Sequence, residues 1–158
     1  MAIPTGSLAL KSVTLERYVV YIHKEVYPLN DVLECSGQDP ESADATFQVA
    51  ADAQDASLVN IKSSNGKYWR RADNESSWIV SDAVEIHEDQ DSWECTLFRP
   101  VKVDDDPQNN RYRFQHVQLG YYIQPVAKWE GELILNAYQE ATDDDQIFEV
   151  ISKETQTL

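Results

Sequence analysis

Apolar residues alternate with polar ones in short runs along the whole chain. The middle of the sequence is the clearest case, because residues 58–62 and 67–71 alternate on either side of the run Ser63-Ser64-Asn65-Gly66. Asn-Gly between two alternating runs is a strong hairpin signal, since both turn residues must accept a positive φ. No long segment keeps the 3.6-residue apolar period of a helix. The pattern predicts an all-β protein with little helix.

The same order of short strands is predicted three times along the chain. In the middle copy, a polar loop at residues 72–77 leads to a third strand at 78–80, and a fourth strand is predicted at 93–103. The first copy gives strands at 8–13, 17–22 and 32–33, and the last copy gives strands at 113–117, 121–124 and 133–135. Strands spaced about ten residues apart, with turn signals between them, indicate a sandwich or a barrel.

Two aromatic markers repeat with a period near fifty residues. The phenylalanines of one marker are 51 and 50 residues apart, and the tyrosines of the other are 50 and 54 residues apart. The residues are Phe47, Phe98 and Phe148, and Tyr18, Tyr68 and Tyr122. Threefold repetition of four strands predicts a β-trefoil with copies at about residues 5–54, 55–108 and 109–155. Both markers are predicted to be core residues near the pseudo-threefold axis, since large aromatics at strand spacing are usually buried.

The length and charge of the chain narrow the classes of partner. A chain of 158 residues with 42% hydrophobic residues suits one compact domain, predicted here as residues 1–158. The formal net charge is −15, which repels phosphate backbones and anionic lipid, so neither nucleic acid nor membrane insertion is expected. No run approaches the roughly 20 apolar residues that a membrane helix requires.

The first residues and the cysteines bear on the cellular compartment. The start of the sequence lacks the basic and then apolar regions of a secretory signal peptide, which predicts a cytoplasmic or nucleocytoplasmic location. Cys35 and Cys95 are the only cysteines, too few for a disulfide framework, and they are predicted to be reduced and structural.

The sequence contains no constellation that predicts catalysis, a metal or a cofactor. The acidic runs at 104–106 and 143–145 lack the glycine and the terminal glutamate of an EF-hand loop. His23, His87 and His116 are scattered among the copies without metal-binding spacing. Nucleophile-elbow, phosphate-loop and dinucleotide motifs do not occur in the sequence. An enzyme is therefore not expected.

Three segments of the middle and last copies carry a specific combination of residues. The first begins with Val59-Asn60-Ile61-Lys62-Ser63 and continues through Lys67-Tyr68, Arg71 and Trp78-Ile79. The second is Ser92-Trp93-Glu94-Cys95-Thr96-Leu97-Phe98-Arg99-Pro100, and the third is His116-Val117-Gln118-Leu119-Gly120-Tyr121-Tyr122. Together they resemble the amaranthin family of plant agglutinins, strongly over about residues 57–124 and by pattern alone elsewhere. The resemblance implies a non-catalytic β-trefoil lectin.

The resemblance also implies a ligand and a site. The known ligand of the family is the T-antigen disaccharide, galactose linked to N-acetylgalactosamine, held near a subunit interface by the polar loop before the Trp-Ile strand. Carried over by position, the implied carbohydrate-binding residues are Asp73, Asn74, Glu75, Ser76, Ser77 and Trp78. Short polar side chains suit sugar hydroxyls, and an aromatic ring suits an apolar sugar face. Glu75, Ser76 and Ser77 stand where a family member has asparagine, histidine and tyrosine, so a ring is lost and a carboxylate replaces an amide.

Alternatives stay open at the level of the sequence. Asp, Asn and Ser also favour ordinary solvated turns, and Trp78 is equally typical of a core residue. Because a fold does not fix its function, the alternative function is a protein–protein interaction module of β-trefoil fold without sugar binding. The resemblance further implies association, either as a homodimer or within a longer chain, for example one with a pore-forming domain. The glycan specificity and the oligomeric state are not determined by the sequence.

Overall fold

The computed structural model describes residues 3–153, and its strands come in three sets of four. The first set is β1 (Gly6–Ser12), β2 (Arg17–His23), β3 (Asp31–Gly37) and β4 (Phe47–Ala51). The second set is β5 (Val59–Lys62), β6 (Tyr68–Arg71), β7 (Ile79–Ala83) and β8 (Leu97–Lys102). The third set is β9 (Arg111–His116), β10 (Tyr121–Lys128), β11 (Glu132–Gln139) and β12 (Phe148–Ser152). The ends of the predicted domain, residues 1–2 and 154–158, lie outside the described residues.

Helix is limited to two short 3-10 turns in the described part of the chain, Ala43–Ala45 and Asp144–Gln146. Each turn is capped by the side chain that precedes it, Ser42 in the first case and Asp143 in the second. Within residues 3–153, nothing helical has the length and the apolar character needed to cross a bilayer.

Six of the strands close a barrel. The first and last strand of each set pair with each other and with the neighbouring sets, in the circular order β1, β4, β5, β8, β9, β12. Phe47, Phe98 and Phe148 lie on these strands and are completely buried, as the repeat predicted. Truncation of a buried Phe to Ala typically costs about 3–5 kcal/mol, so the three rings are a large part of the barrel core. The predicted β-trefoil is confirmed.

The tyrosine marker has a different role from the one predicted. Tyr18, Tyr68 and Tyr122 are each only half-buried, so their assignment to the core is wrong. The strand register shifts immediately after each of them, which is the signature of a β-bulge. The extra residue lies in the partner strand in each case, at Ser36, Asp82 and Tyr138. The tyrosine strands keep their ordinary alternation, so the residue after each tyrosine faces inward, and those residues, Val19, Trp69 and Ile123, are completely buried. The period was therefore correct, but the core position lies one residue later.

Three hairpins close one end of the barrel. They are β2–β3, β6–β7 and β10–β11, and they meet through bridges from Val32 to Val80, from Ile134 to Glu34 and from Trp78 to Asn136. A buried apolar cluster fills their junction, formed by Leu29, Val32, Ala72, Val80 and Ile134 with Ile22 and Trp78 packed against it. The hairpin tips and their loops extend from this junction, and the candidate site is one of those loops.

Most predicted strands have somewhat different bounds in the structure, including the two predicted at 93–103 and 78–80. The run at 93–103 becomes a strand only from Leu97, because Thr96 ends the preceding loop by donating from Oγ1 to Asn60 Oδ1 at 2.7 Å. Trp93 instead packs its ring beneath the Arg70 guanidinium at 5.4 Å. The strand predicted at 78–80 begins at Ile79 and continues to Ala83.

Both cysteines are free and buried, and burial raises the pKa of Cys35 to about 12.

Candidate functional site

The candidate site is the seven-residue loop 72–78 between β6 and β7. Its two ends are joined by a hydrogen bond from the Ala72 amide to the Trp78 carbonyl oxygen at 2.9 Å. Inside the loop, Asp73 Oδ1 accepts from the Glu75 amide at 2.8 Å, and Ser76 Oγ accepts from the Trp78 amide at 3.1 Å. These are the local side-chain-to-backbone bonds that favour Asp and Ser in turns. The turn interpretation is thus correct for part of the polar composition.

Arg71, at the end of β6, holds the loop from beneath. Its Nε donates to the Ser76 carbonyl oxygen at 2.7 Å, and its Nη2 donates to the Asn74 carbonyl oxygen at 3.3 Å. Nη1 donates to Gln118 Oε1 at 2.8 Å, which connects the loop to the β9–β10 turn. Burial lowers the pKa of Arg71, and the nearby Asp73 carboxylate opposes that shift. The guanidinium therefore fixes the loop backbone at two points.

Ser77 and Trp78 face the third set of strands. Ser77 Oγ donates to Asn136 Oδ1 at 2.9 Å, and the Ala137 amide donates to the Ser77 carbonyl oxygen at 2.8 Å. The Trp78 ring packs against the apolar cluster of the hairpin junction, and the Lys128 ammonium lies 5.2 Å from its centroid. Both side chains have structural contacts, and a sugar stacked on Trp78 would share the ring with Lys128.

Three of the predicted residues present polar groups outward. Asn74 and Glu75 are exposed and Asp73 is half-exposed. Their carboxylates accept hydrogen bonds, and the Asn74 amide both donates and accepts, which matches the mixed character of sugar hydroxyls. A cleft of about 520 Å³ lies elsewhere, between residues 106–111 and 149–152, and Asp73, Asn74 and Glu75 are not among the residues that line it. These three side chains present their polar groups at the surface of the loop.

The three segments that carry the family resemblance meet behind this loop. Arg71 of the first segment bonds Gln118 of the third, and Cys95 of the second packs with Val117. His116 is completely buried beside them, and its Nδ1 accepts from the Leu119 amide at 3.2 Å. Burial, and next the charge of Arg71, lower the pKa of His116 to about 4. The matching residues therefore form one structural unit that supports the loop.

Sequence reasoning did not assign a role to Arg71, Gln118, Lys128 or Asn136. Arg71 was part of the matching run, and an arginine at the end of a predicted strand before a polar loop is a usable signal. The other three lie far from the loop in sequence, so no local pattern indicates their contacts with it.

The described residues also bear on metal binding. Among residues 3–153, no group of three or more His, Cys, Asp or Glu side chains is arranged to hold a metal ion. In the acidic run at 104–106, the Asp104 and Asp106 carboxylates accept from backbone amides of their own turn. These contacts are typical of a solvated loop.

Comparison with known proteins places this sequence in a family. The sequence profile of the agglutinin domain matches residues 3–152. No curated protein sequence gives a match.

Several solved structures have the same fold at low sequence identity. The Rhizoctonia solani agglutinin has a TM-score of 0.68 and 14% identity, covering 97% of this chain and 99% of its own. SeviL, determined bound to the asialo-GM1 saccharide, has a TM-score of 0.62 and 11% identity, covering 96% and 100%. The BEL β-trefoil has a TM-score of 0.65 and 18% identity, covering 94% and 97%.

Proposed function

The chain belongs to the agglutinin domain family, and on that premise we propose that it binds glycans ending in galactose or N-acetylgalactosamine through loop 72–78. The T-antigen disaccharide is the first ligand of this class to test. Family membership and the lectin neighbours support a carbohydrate-binding lectin, and they point to a binding protein rather than a catalyst.

The observation that carries the proposal is the fixed loop backbone. Arg71 donates to the carbonyl oxygens of Asn74 and Ser76, while Ser77 is tied to Asn136. Asp73, Asn74 and Glu75 therefore project from a frame that does not need to be ordered when a ligand binds. Such preorganisation removes part of the entropic cost of association.

The chemistry of the exposed side chains agrees with a neutral sugar. Two carboxylates and one amide provide acceptors and a donor for ring hydroxyls, and each such bond contributes about 0.5–1.5 kcal/mol net. A few bonds at the surface of a loop give weak binding, and lectins commonly gain avidity of roughly 10²–10⁴ by linking sites. We therefore also propose that the domain acts in a homodimer or in a longer chain.

A glycan array with purified protein tests the proposal. We expect binding to galactose-terminated and N-acetylgalactosamine-terminated glycans, and a loss of at least about tenfold in the double variant Asn74→Ala/Glu75→Ala, since two hydrogen bonds are removed. The matched control is Asn110→Ala/Asp105→Ala, which removes an exposed amide and an exposed carboxylate from another loop.

Two outcomes of the array would contradict the proposal. A loss confined to the Asn110/Asp105 variant would assign the site to the cleft that Asn110 lines instead of to loop 72–78. A well-folded sample that binds no glycan at high concentration would reject the lectin function and favour the protein–protein interaction module.

A further inference from the structure

The tip of the β10–β11 hairpin carries an exposed tryptophan in an unusual backbone conformation. Trp129 lies in the loop 129–131, which is closed by a hydrogen bond from the Gly131 amide to the Lys128 carbonyl oxygen at 3.1 Å. Its φ is +52°, in the left-handed region that glycine, Asn and Asp usually occupy and that is unfavourable for a bulky residue. The side chain remains 38% exposed, so core packing does not explain the choice of residue.

Two lysine–aromatic contacts place this tip between the other two hairpins. Lys24 of the first set reaches over the Trp129 ring, with its Nζ 5.0 Å from the centroid. Lys128, the preceding residue of the tip, reaches in the other direction to the Trp78 ring at 5.2 Å. Trp129 therefore belongs to the junction of the first and third sets, whereas loop 72–78 belongs to the second.

Loop 24–30, which begins at Lys24, adds exposed apolar surface. The loop is closed by hydrogen bonds from the Lys24 amide to Asn30 and from the Leu29 amide to Val26. Between these bonds, Tyr27 is 88% exposed and Val26 is 48% exposed. An exposed indole, a lysine and exposed apolar side chains are thus carried by two adjoining hairpins.

We propose that Trp129 and Lys24 form a second saccharide-contact site, separate from loop 72–78. The proposal rests on the lectin function proposed above, and it assigns a different surface to a second sugar. The indole offers a rigid apolar face to the C–H face of a pyranose, and the Lys24 ammonium offers donors to its hydroxyls. The exposed carboxylates of Glu25 and Glu130 supply acceptors beside them.

A saccharide agrees with these residues better than a large protein partner does. The apolar element is one ring with a few neighbours and is flanked by ionised side chains, whereas the centre of a stable protein interface is depleted of charge. A backbone outlier that holds a side chain in solvent is the kind of strain that functional sites retain. Two sites on one domain would bind two sugars of a branched glycan at once.

NMR titration with N-acetylgalactosamine and with the T-antigen disaccharide tests the proposal, because each tryptophan gives its own indole N–H signal. We expect the Trp129 signal to shift in the wild type and in Asn74→Ala/Glu75→Ala.

The variant Trp129→Gly tests the role of the ring. It removes the indole and places glycine, the residue that adopts a left-handed backbone most readily, at this position, so folding is preserved. The affinity remaining in Asn74→Ala/Glu75→Ala is expected to fall by about tenfold when Trp129→Gly is added. Tyr138→Ala, which removes an exposed aromatic from β11, is the matched control and is expected to leave the titration unchanged.

The outcomes separate this proposal from the one on which it rests. Sugar binding that is abolished by Asn74→Ala/Glu75→Ala, with the Trp129 signal unmoved, would reject the second site and keep the first. A Trp129 shift with no effect of the double variant would keep the second site and reject loop 72–78. If neither sugar moves any indole signal and calorimetry detects no heat, both are rejected.

Discussion

Loops 24–30 and 72–78 occupy the same place in two repeats and have the same frame, but they carry opposite chemistry. Each has seven residues between the second and third strand of its set, and in each the first amide bonds the last carbonyl oxygen. The tip of the first loop is apolar and exposed, with Val26 and Tyr27, whereas the corresponding tip residues of the second are Asn74 and Glu75. The trefoil therefore fixes the position of each loop, and the side chains at its tip set the surface chemistry that the loop presents.

The two loops are also supported differently. The residue just before loop 72–78 is the buried Arg71. The residue just before loop 24–30 is the exposed His23, whose Nδ1 lies 2.8 Å from Asp31 Oδ1. The sixth residue of loop 72–78 is Ser77, whose hydroxyl donates to Asn136. The sixth residue of loop 24–30 is Leu29, which is buried in the hairpin junction. Loop 72–78 is held by side-chain hydrogen bonds in addition to the packing of Ala72 and Trp78, whereas loop 24–30 is held by the apolar packing of Leu29.

The largest expected effect comes from removing the support of the polar loop. Arg71→Ala is expected to lower the free energy of unfolding by about 3–4 kcal/mol, because it removes hydrogen bonds to a charged group and leaves Gln118 without its partner. His23→Ala, at the corresponding position, is expected to change it by less than about 0.5 kcal/mol. Urea denaturation of both variants measures the difference. Equal effects would mean that the two loops are supported alike.

The sixth loop position distinguishes the two kinds of support. Leu29→Ala is expected to cost about 3 kcal/mol, since it leaves a cavity in the hairpin junction. Ser77→Ala is expected to cost about 1 kcal/mol, the net value of one hydrogen bond. Thermal unfolding monitored by circular dichroism compares the pair. A larger cost for Ser77→Ala would contradict the assignment of apolar support to loop 24–30.

Acid is expected to destabilise the region around loop 72–78 before it affects loop 24–30. Folding lowers the pKa of His116 from 6.5 to about 4. Between pH 6.5 and pH 4, His116 is therefore protonated in the unfolded chain and neutral in the folded chain. Its contribution to stability is complete above pH 6.5 and is lost as the pH falls, by roughly 2 kcal/mol at pH 5.

Denaturation of the wild type and of His116→Asn at pH 7 and pH 5 tests this contribution, because the variant lacks the titrating group. The drop between the two pH values is expected to be smaller in the variant by that amount. Hydrogen-exchange protection factors, which correct for the slower intrinsic exchange at pH 5, are expected to fall from pH 7 to pH 5 more in loop 72–78, behind which His116 lies, than in loop 24–30. The same drop in both proteins would assign the acid sensitivity to other groups.

The repeat and its barrel were accessible from the sequence because they depend on local periodicity. Phe47, Phe98 and Phe148 mark the period and are buried, as expected. The neighbouring tyrosines kept the period but not the burial, because side chains alternate between the two faces of a strand and it is the next residue of each strand that faces the core. Strand ends were displaced where a distant partner decides them, as Asn60 does for Thr96.

The candidate loop was predicted only in part for the same reason. Its bounds were visible because Asp, Asn and Ser signal a turn, and the turn forms there. Some of the bonds that fix it are local, from Arg71 to the loop backbone, but the others involve Gln118 and Asn136, which are 47 and 59 residues from their partners. The left-handed conformation of Trp129 has no signature in its own residue type, since tryptophan does not favour it.

The pairing of β1 with β12 determines when the fold is completed. Leu10 lies opposite Val150, so the first strand of the barrel has its outer neighbour only after almost the whole chain is present. During synthesis from the N-terminus, β1 therefore waits with one edge unpaired, and an unpaired edge readily joins another chain. Pairing over such sequence separation also makes folding slow. The closed ring, which has no edge once formed, is exposed to aggregation mainly during its assembly.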